Sequence, residues 1–185
     1  WTPAQAESYG RMMLATLDSI RLCPHPTVAA IRGACMGAGL EVAVCCDLRI
    51  AGLSAKFGAP IQKIGVVMPW PELAMFVDLI GRAATLEMLL EGRVWSAGEA
   101  AAKGLVTRTV ADDALDDEVA ATVSRIVSGA PLSNRMHKRM VRRLGDPRPL
   151  DPAEFAEGYA AADFEDYREG VRAFLEKRKP DFKSR

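Results

Sequence analysis

Apolar positions along this chain follow two rhythms. Thr27 to Ile31 is a short, continuous apolar run that predicts a buried strand. Leu48-Arg49-Ile50-Ala51 and Leu105 to Val110 predict two more. Elsewhere the spacing is helical. Met13, Leu17 and Ile20 recur on one face of a first helix, and Thr2-Pro3-Ala4-Gln5 supplies its start, with Thr2 as cap, Pro3 in the first turn and Gln5 closing a capping box. Gly81 to Leu90 predicts a helix that ends near Gly92, and Ala97 to Lys103 a small one stopped by Gly104. Leu115, Val119, Val123, Ile126 and Val127 keep helical spacing, and Pro131 to Leu144 forms an amphipathic basic helix carrying His137. Asp146-Pro147-Arg148-Pro149 is a loop, and two helical stretches close the chain. Internal repeats and low-complexity segments are absent. The pattern alone predicts a layered α/β core followed by helices.

Composition narrows the class of partner. The 185 residues carry 24 basic and 24 acidic side chains, so the formal net charge is zero, and 49% are hydrophobic. That is enough to fill the core of one globular enzyme domain. Balanced charge and no basic run argue against nucleic acid as the main partner. No apolar stretch approaches the roughly 20 residues that span a bilayer. Cys23, Cys35, Cys45 and Cys46 lack metal-ligand spacing, and reduced, mostly buried thiols in a cytoplasmic protein are expected.

The candidate chemistry sits after the first strand. Arg32-Gly33-Ala34-Cys35-Met36-Gly37-Ala38-Gly39-Leu40-Glu41 runs from that strand into an apolar helical segment. Glycines permit a sharp turn and close approach of a ligand, and the first N–H groups of a helix lack intrahelical partners. Glu41 follows one turn in, among apolar residues. A carboxylate there is either a cap favoured by the helix dipole or a reactive acid/base.

A wider set of residues carries a family resemblance. Pro26, Val28-Ala29-Ala30, Gly33, Gly37, Gly39, Glu41, Ala43, Cys46-Asp47 and Ala51 form one block. Phe57-Gly58, Pro60 and Gly65 form a second, and Gly92, Ser96 to Ala100 and Gly104-Leu105-Val106 a third. The tail Arg168 to Pro180 forms a fourth. In order and over nearly the whole chain, these resemble the crotonase superfamily, the enoyl-CoA hydratase/isomerase family. The resemblance implies a ClpP/crotonase-like α/β spiral of β-β-α units over residues 1–110 and a C-terminal helical, trimerisation part over 111–185. Relatives carry a further stretch ahead of the first helix, including early strands and a loop with one oxyanion-hole N–H, so the chain is expected to be a fragment.

The same resemblance implies an acyl-CoA thioester as substrate. No metal is expected, and no cofactor beyond the coenzyme A of the substrate. Two backbone N–H groups would stabilise a thioester enolate, each worth roughly 3–4 kcal/mol. Ala38 would give one of them, between Gly37 and Gly39, and Glu41 would be the acid/base. The family's second glutamate falls at Ile61, which has no proton site. That departure leaves hydration, double-bond shift, decarboxylation, thioester cleavage and non-catalytic CoA binding open. Where relatives have Pro-Gly-x-Gly-Gly, this chain has Met68-Pro69-Trp70-Pro71-Glu72, with Trp70 either walling an acyl pocket or packing in the core. Glu72 or Asp78 is a possible substitute acid, although exposed, solvated carboxylates are expected at both. Phe174 and Lys177 align with tail residues that contact the CoA nucleotide of a neighbouring subunit, in trimers that pair into hexamers. His137 is expected at the surface, and Arg32 is expected to pair with Asp47 or face a subunit contact.

Overall fold

A computed structural model describes residues 2–184. It contains two compact units, one of residues up to Cys23 with Thr27–Ala121, the other of Pro24–Pro26 with Thr122 onward. The first unit begins with α1 (Pro3–Arg21), whose Thr2 and Gln5 form the expected reciprocal capping box. Leu17 is fully buried, and Met13 and Ile20 are partly buried.

Two successive stretches of chain are then built alike. β1 (Val28–Ile31) is followed by β2 (Ala34–Met36) and α2 (Ala38–Cys45). β3 (Leu48–Gly52) is followed by β4 (Lys56–Gly58), a 3-10 turn at Ile61–Ile64 and α3 (Trp70–Leu86). β1 pairs in parallel with β3, Val28 opposite Leu48, and β2 pairs in parallel with β4, Ala34 opposite Lys56. First strands therefore collect in one sheet and second strands in another, as a spiral of β-β-α units requires. β5 (Trp95–Ser96) adds antiparallel to β4, and after α4 (Ala97–Ala102) β6 (Arg108–Val110) adds parallel to β3. Among the described residues the sheets read β1-β3-β6 and β2-β4-β5.

The sequence pattern misses β2, β4 and β5. Each has two or three residues, too few for alternation to show. It also starts α3 too late. Pro69 is its N-cap and Pro71 lies in its first turn, where a missing N–H costs nothing, so the prolines open the helix at Trp70. Gly81 (φ 74°, ψ 166°) interrupts it, and the predicted Gly81–Leu90 segment is its second half plus a π-turn at Glu87–Glu91.

The core gathers Leu40, Phe57, Phe76, Met88 and Trp95 from α2, β4, α3, the π-turn and β5. A basic side chain is buried too. Arg49 on β3 is 5% exposed. Its Nε donates to the Leu105 carbonyl at 2.8 Å, and Nη1 donates to the carbonyls of Ala43 (3.2 Å), Val44 (3.4 Å) and Cys46. All three lie at the end of α2, where carbonyls run out of helical partners, although that of Ala43 also accepts from the Cys46 N–H at 3.2 Å. Burial holds the Arg49 pKa below its ordinary value, yet a guanidinium stays charged, and positive charge at a helix C-terminus is favourable.

The second unit contains the end of α5 (Leu115–Val127), α6 (Pro131–Leu144), α7 (Pro152–Ala160) and α8 (Glu165–Leu175). Asp151 and Glu154 form a capping box, and Arg143 binds Glu154 at 2.5 Å and 2.9 Å. Among the described residues, no helix is long and apolar enough to cross a membrane. Arg49→Met is expected to lower stability by about 3 kcal/mol or more, because buried carbonyls lose a charged donor. Urea unfolding followed by circular dichroism measures this, and an unchanged midpoint would contradict the clamp.

Candidate active site

The turn between β2 and α2 rests on one glycine. Gly37 has φ 50° and ψ −125°, the conformation of the first central residue of a type II′ turn, which L side chains rarely adopt. Its N–H donates to the Gly58 carbonyl at 3.0 Å, tying the turn to the end of β4. Its carbonyl accepts from the N–H groups of Leu40 (2.9 Å) and Glu41 (3.0 Å). The N–H groups of Ala38 and Gly39 remain, and no described residue accepts from them. Both residues are exposed. Ala38 is helical and not among the positive-φ residues, so alanine fits there without strain. The result is an open pair of backbone donors at the positive end of a helix, suited to an oxygen that acquires negative charge.

Glu41 lies one turn along α2 and is partly buried. Its carboxyl has no hydrogen-bond or ion-pair partner among the described residues. Burial pushes its pKa above the ordinary carboxylate value, and the negative charge of Glu72 pushes it further the same way. Glu41 is therefore no simple cap. It is a carboxyl biased toward holding a proton beside unfilled N–H donors.

Glu72 corrects an expectation. It is 6% exposed rather than solvated, without a described partner, and burial raises its pKa too. The cause is helical phase. Once α3 starts at Trp70, Glu72 falls on the face of the buried Phe76 and the partly buried Leu79 and Ile80. That i, i+4, i+7 spacing is visible in the sequence but unreadable while the helix is taken to begin at Gly81. Asp78 is exposed, as expected.

For Trp70 one of the two alternatives falls away. Its side chain is 85% exposed, which excludes the core-packing alternative. It opens α3 on the side opposite the buried face, with Val67 equally exposed just before it. Ile61 begins the 3-10 turn after Pro60, partly buried against the core. Arg32 pairs with Asp116 at 2.7 Å, and Asp47 instead accepts from the Thr27 N–H (2.7 Å) and hydroxyl (3.0 Å). His137 is exposed on α6. In the second unit, Phe174 is 82% exposed and Lys177 ends α8 with φ 54°. The four cysteines are free thiols, and burial pushes Cys35 and Cys45 up to about 11, leaving both unreactive at neutral pH.

A sequence model of the enoyl-CoA hydratase/isomerase family matches residues 2–185. A probable enoyl-CoA hydratase of Mycobacterium bovis is 35% identical over 97% of this chain and 71% of its own length. The (E)-benzylidenesuccinyl-CoA hydratase of Thauera aromatica is 36% identical over 90% and 68%. Among solved structures, an enoyl-CoA hydratase/carnithine racemase from Magnetospirillum magneticum superposes with a TM-score of 0.98 at 54% identity, covering all of this chain and 69% of that one.

Both carboxyl groups cost stability where they are ionised. A raised folded-state pKa means that the native state binds protons more tightly than the unfolded chain. The contribution to stability is present below the ordinary carboxylate pKa and is lost as pH rises through the folded-state value. Glu41→Gln and Glu72→Gln are therefore each expected to raise the thermal midpoint at pH 7, with the gain shrinking as pH falls toward 4. Calorimetry across that range checks the sign. A gain that grows at acid pH would contradict the burial of these groups.

Proposed function

The chain belongs to the enoyl-CoA hydratase/isomerase family and has the crotonase fold, and from that membership we propose that it converts enoyl-CoA thioesters through an enolate. The thioester oxygen sits on the Ala38 N–H, with Gly37 shaping the approach and Gly39 leaving open space above the helix start. Charge moving onto that oxygen is stabilised by a donor already oriented, so no reorganisation is needed as the enolate forms. Glu41, one turn away, moves the proton at the α-carbon. The observation that carries the reading is the juxtaposition of a partly buried, unpaired carboxyl with the unfilled N–H groups of one helix start.

Hydration is favoured by the names of the two relatives, both hydratases of CoA thioesters, and double-bond shift by the isomerase in the family's description. Decarboxylation or thioester cleavage would use the same donors. Ile61 favours a different second reading, a member that binds CoA without turnover, because a hydrocarbon at that position holds no water and carries no proton. Trp70 and Ile61 border the acyl group in the proposed complex. Phe174 and Lys177 reach the nucleotide of a ligand held by a neighbouring copy.

That last role needs an oligomer. Phe155, Tyr159, Phe174 and Leu175 are 65–82% exposed on α7 and α8, a large apolar outlay for a free surface. We propose a trimer or a hexamer of two trimers, with these helices at the contacts. Light scattering on the full chain is expected to give three or six times the chain mass, and a monomer at micromolar concentration would contradict the assembly.

Glu41→Gln is expected to lower crotonyl-CoA hydration by about 100-fold or more, the scale of a lost general acid/base. CoA binding by calorimetry should stay close to that of the parent. Unchanged turnover would overturn the role of Glu41. Tight CoA binding by the parent with no turnover of any thioester would favour the non-catalytic reading.

A further inference from the structure

We propose that Glu72, entering from α3, is the second carboxylate of this site, and that Glu41 and Glu72 hold one proton between them as the acid and base of a water addition. This rests on the acyl-CoA reading above and deepens it. Ile61 removes a proton-carrying side chain from the 3-10 turn after β4. Glu72 restores one from a different element, as a side chain more than nine-tenths buried with no described hydrogen-bond or ion-pair partner.

An unpaired buried carboxylate is costly, and a protein that keeps one without a partner has usually kept it for chemistry. Two of them on packed helices, α2 and α3, are costlier still when both are charged. The pair avoids this by ionising in sequence. Both carboxyls sit in the first turn of a helix, where negative charge is favoured, and the negative charge that acts across the pair is that of Glu72. That charge then keeps Glu41 protonated to higher pH. At intermediate pH the pair offers one base and one acid together, as in other paired-carboxylate sites.

The surrounding charges leave this arrangement intact. On α2 the nearby ionisable group is Cys45, whose thiol is neutral, and from β2 it is Cys35, also neutral. On α1, Asp18 and Arg21 pair at 2.8 Å and act on Cys45. Asp78 and Arg82 on α3, and Lys63 in the 3-10 turn, are exposed.

The step balances. The Glu72 carboxylate takes a proton from water as the water oxygen bonds to the β-carbon. The double-bond pair moves toward the thioester oxygen, held by the Ala38 N–H. The enolate then collapses, its α-carbon taking the proton of Glu41. The product is a 3-hydroxyacyl-CoA, and one proton passed from Glu72 to Glu41 restores the start.

The test uses the full chain with Glu41→Gln, Glu72→Gln and Glu72→Asp. It combines crotonyl-CoA hydration against pH with a titration of carbon-13-labelled glutamate carboxyls by NMR. Glu72→Gln is expected to lower kcat by about 100-fold or more, with partial rescue in Glu72→Asp. It should also move the Glu41 midpoint down toward the ordinary carboxylate value. If Glu41→Gln is inactive while Glu72→Gln keeps the parent kcat and pH profile, the pair is overturned and the single-acid reading stands. If Glu41→Gln keeps full activity, the underlying reading fails instead. Should the parent turn over no thioester, the titration still decides, because a Glu41 midpoint unmoved by Glu72→Gln overturns the pair.

Discussion

The site depends on where α2 is held, and a buried guanidinium holds it. Arg49 gathers the Ala43, Val44 and Cys46 carbonyls at the end of the helix and the Leu105 carbonyl beyond α4. A helix end inside a core must find donors, and a single arginine supplies several without adding a counter-charge. At the other end, Gly37 is bonded to Gly58 and turns the chain so that Ala38 and Gly39 face outward. The eight-residue helix is thus fixed at both termini, and its open donors cannot drift relative to Glu41.

The same helix shows where this chain carries a cost in stability. Its C-terminal carbonyls are satisfied with care, whereas the partly buried Glu41 and the buried Glu72 have no hydrogen-bond or ion-pair partner among the described residues. Removing either charge should relieve strain on the folded state, so their retention is a cost with no structural return. That asymmetry separates Glu41 and Glu72 from exposed pairs such as Arg11–Glu7, where both partners are largely solvated. Cys35 and Cys45 share the burial but not the consequence, since a neutral thiol loses little by leaving water.

Much of this was legible in the chain. The capping box of α1, the limits of α6 and the position of Glu41 in an apolar helix after a glycine turn all follow from local rules, and the structure agrees. β2, β4 and β5 were not legible, because they exist through pairing rather than through their own pattern. Glu72 was misjudged, and the two alternatives for Trp70 stayed open, for one shared reason. Both residues precede Gly81, where the pattern starts a helix, and only the helix that the prolines begin reveals that Glu72 points inward and Trp70 outward. Arg49 was hidden in an apolar strand, and nothing in the sequence says that its carbonyl partners, from Ala43 to Leu105, converge on it.

The central claim is that the Ala38 N–H receives a thioester oxygen beside a protonated Glu41. Butyryl-CoA labelled with carbon-13 at its thioester carbonyl is saturated and cannot be hydrated, so it reports the bound state by NMR. The account predicts a bound carbonyl signal moved in the direction of greater polarisation, and a position that changes as Glu41 titrates but no longer does so in Glu41→Gln. A bound signal at the free-ligand position and insensitive to pH would contradict it.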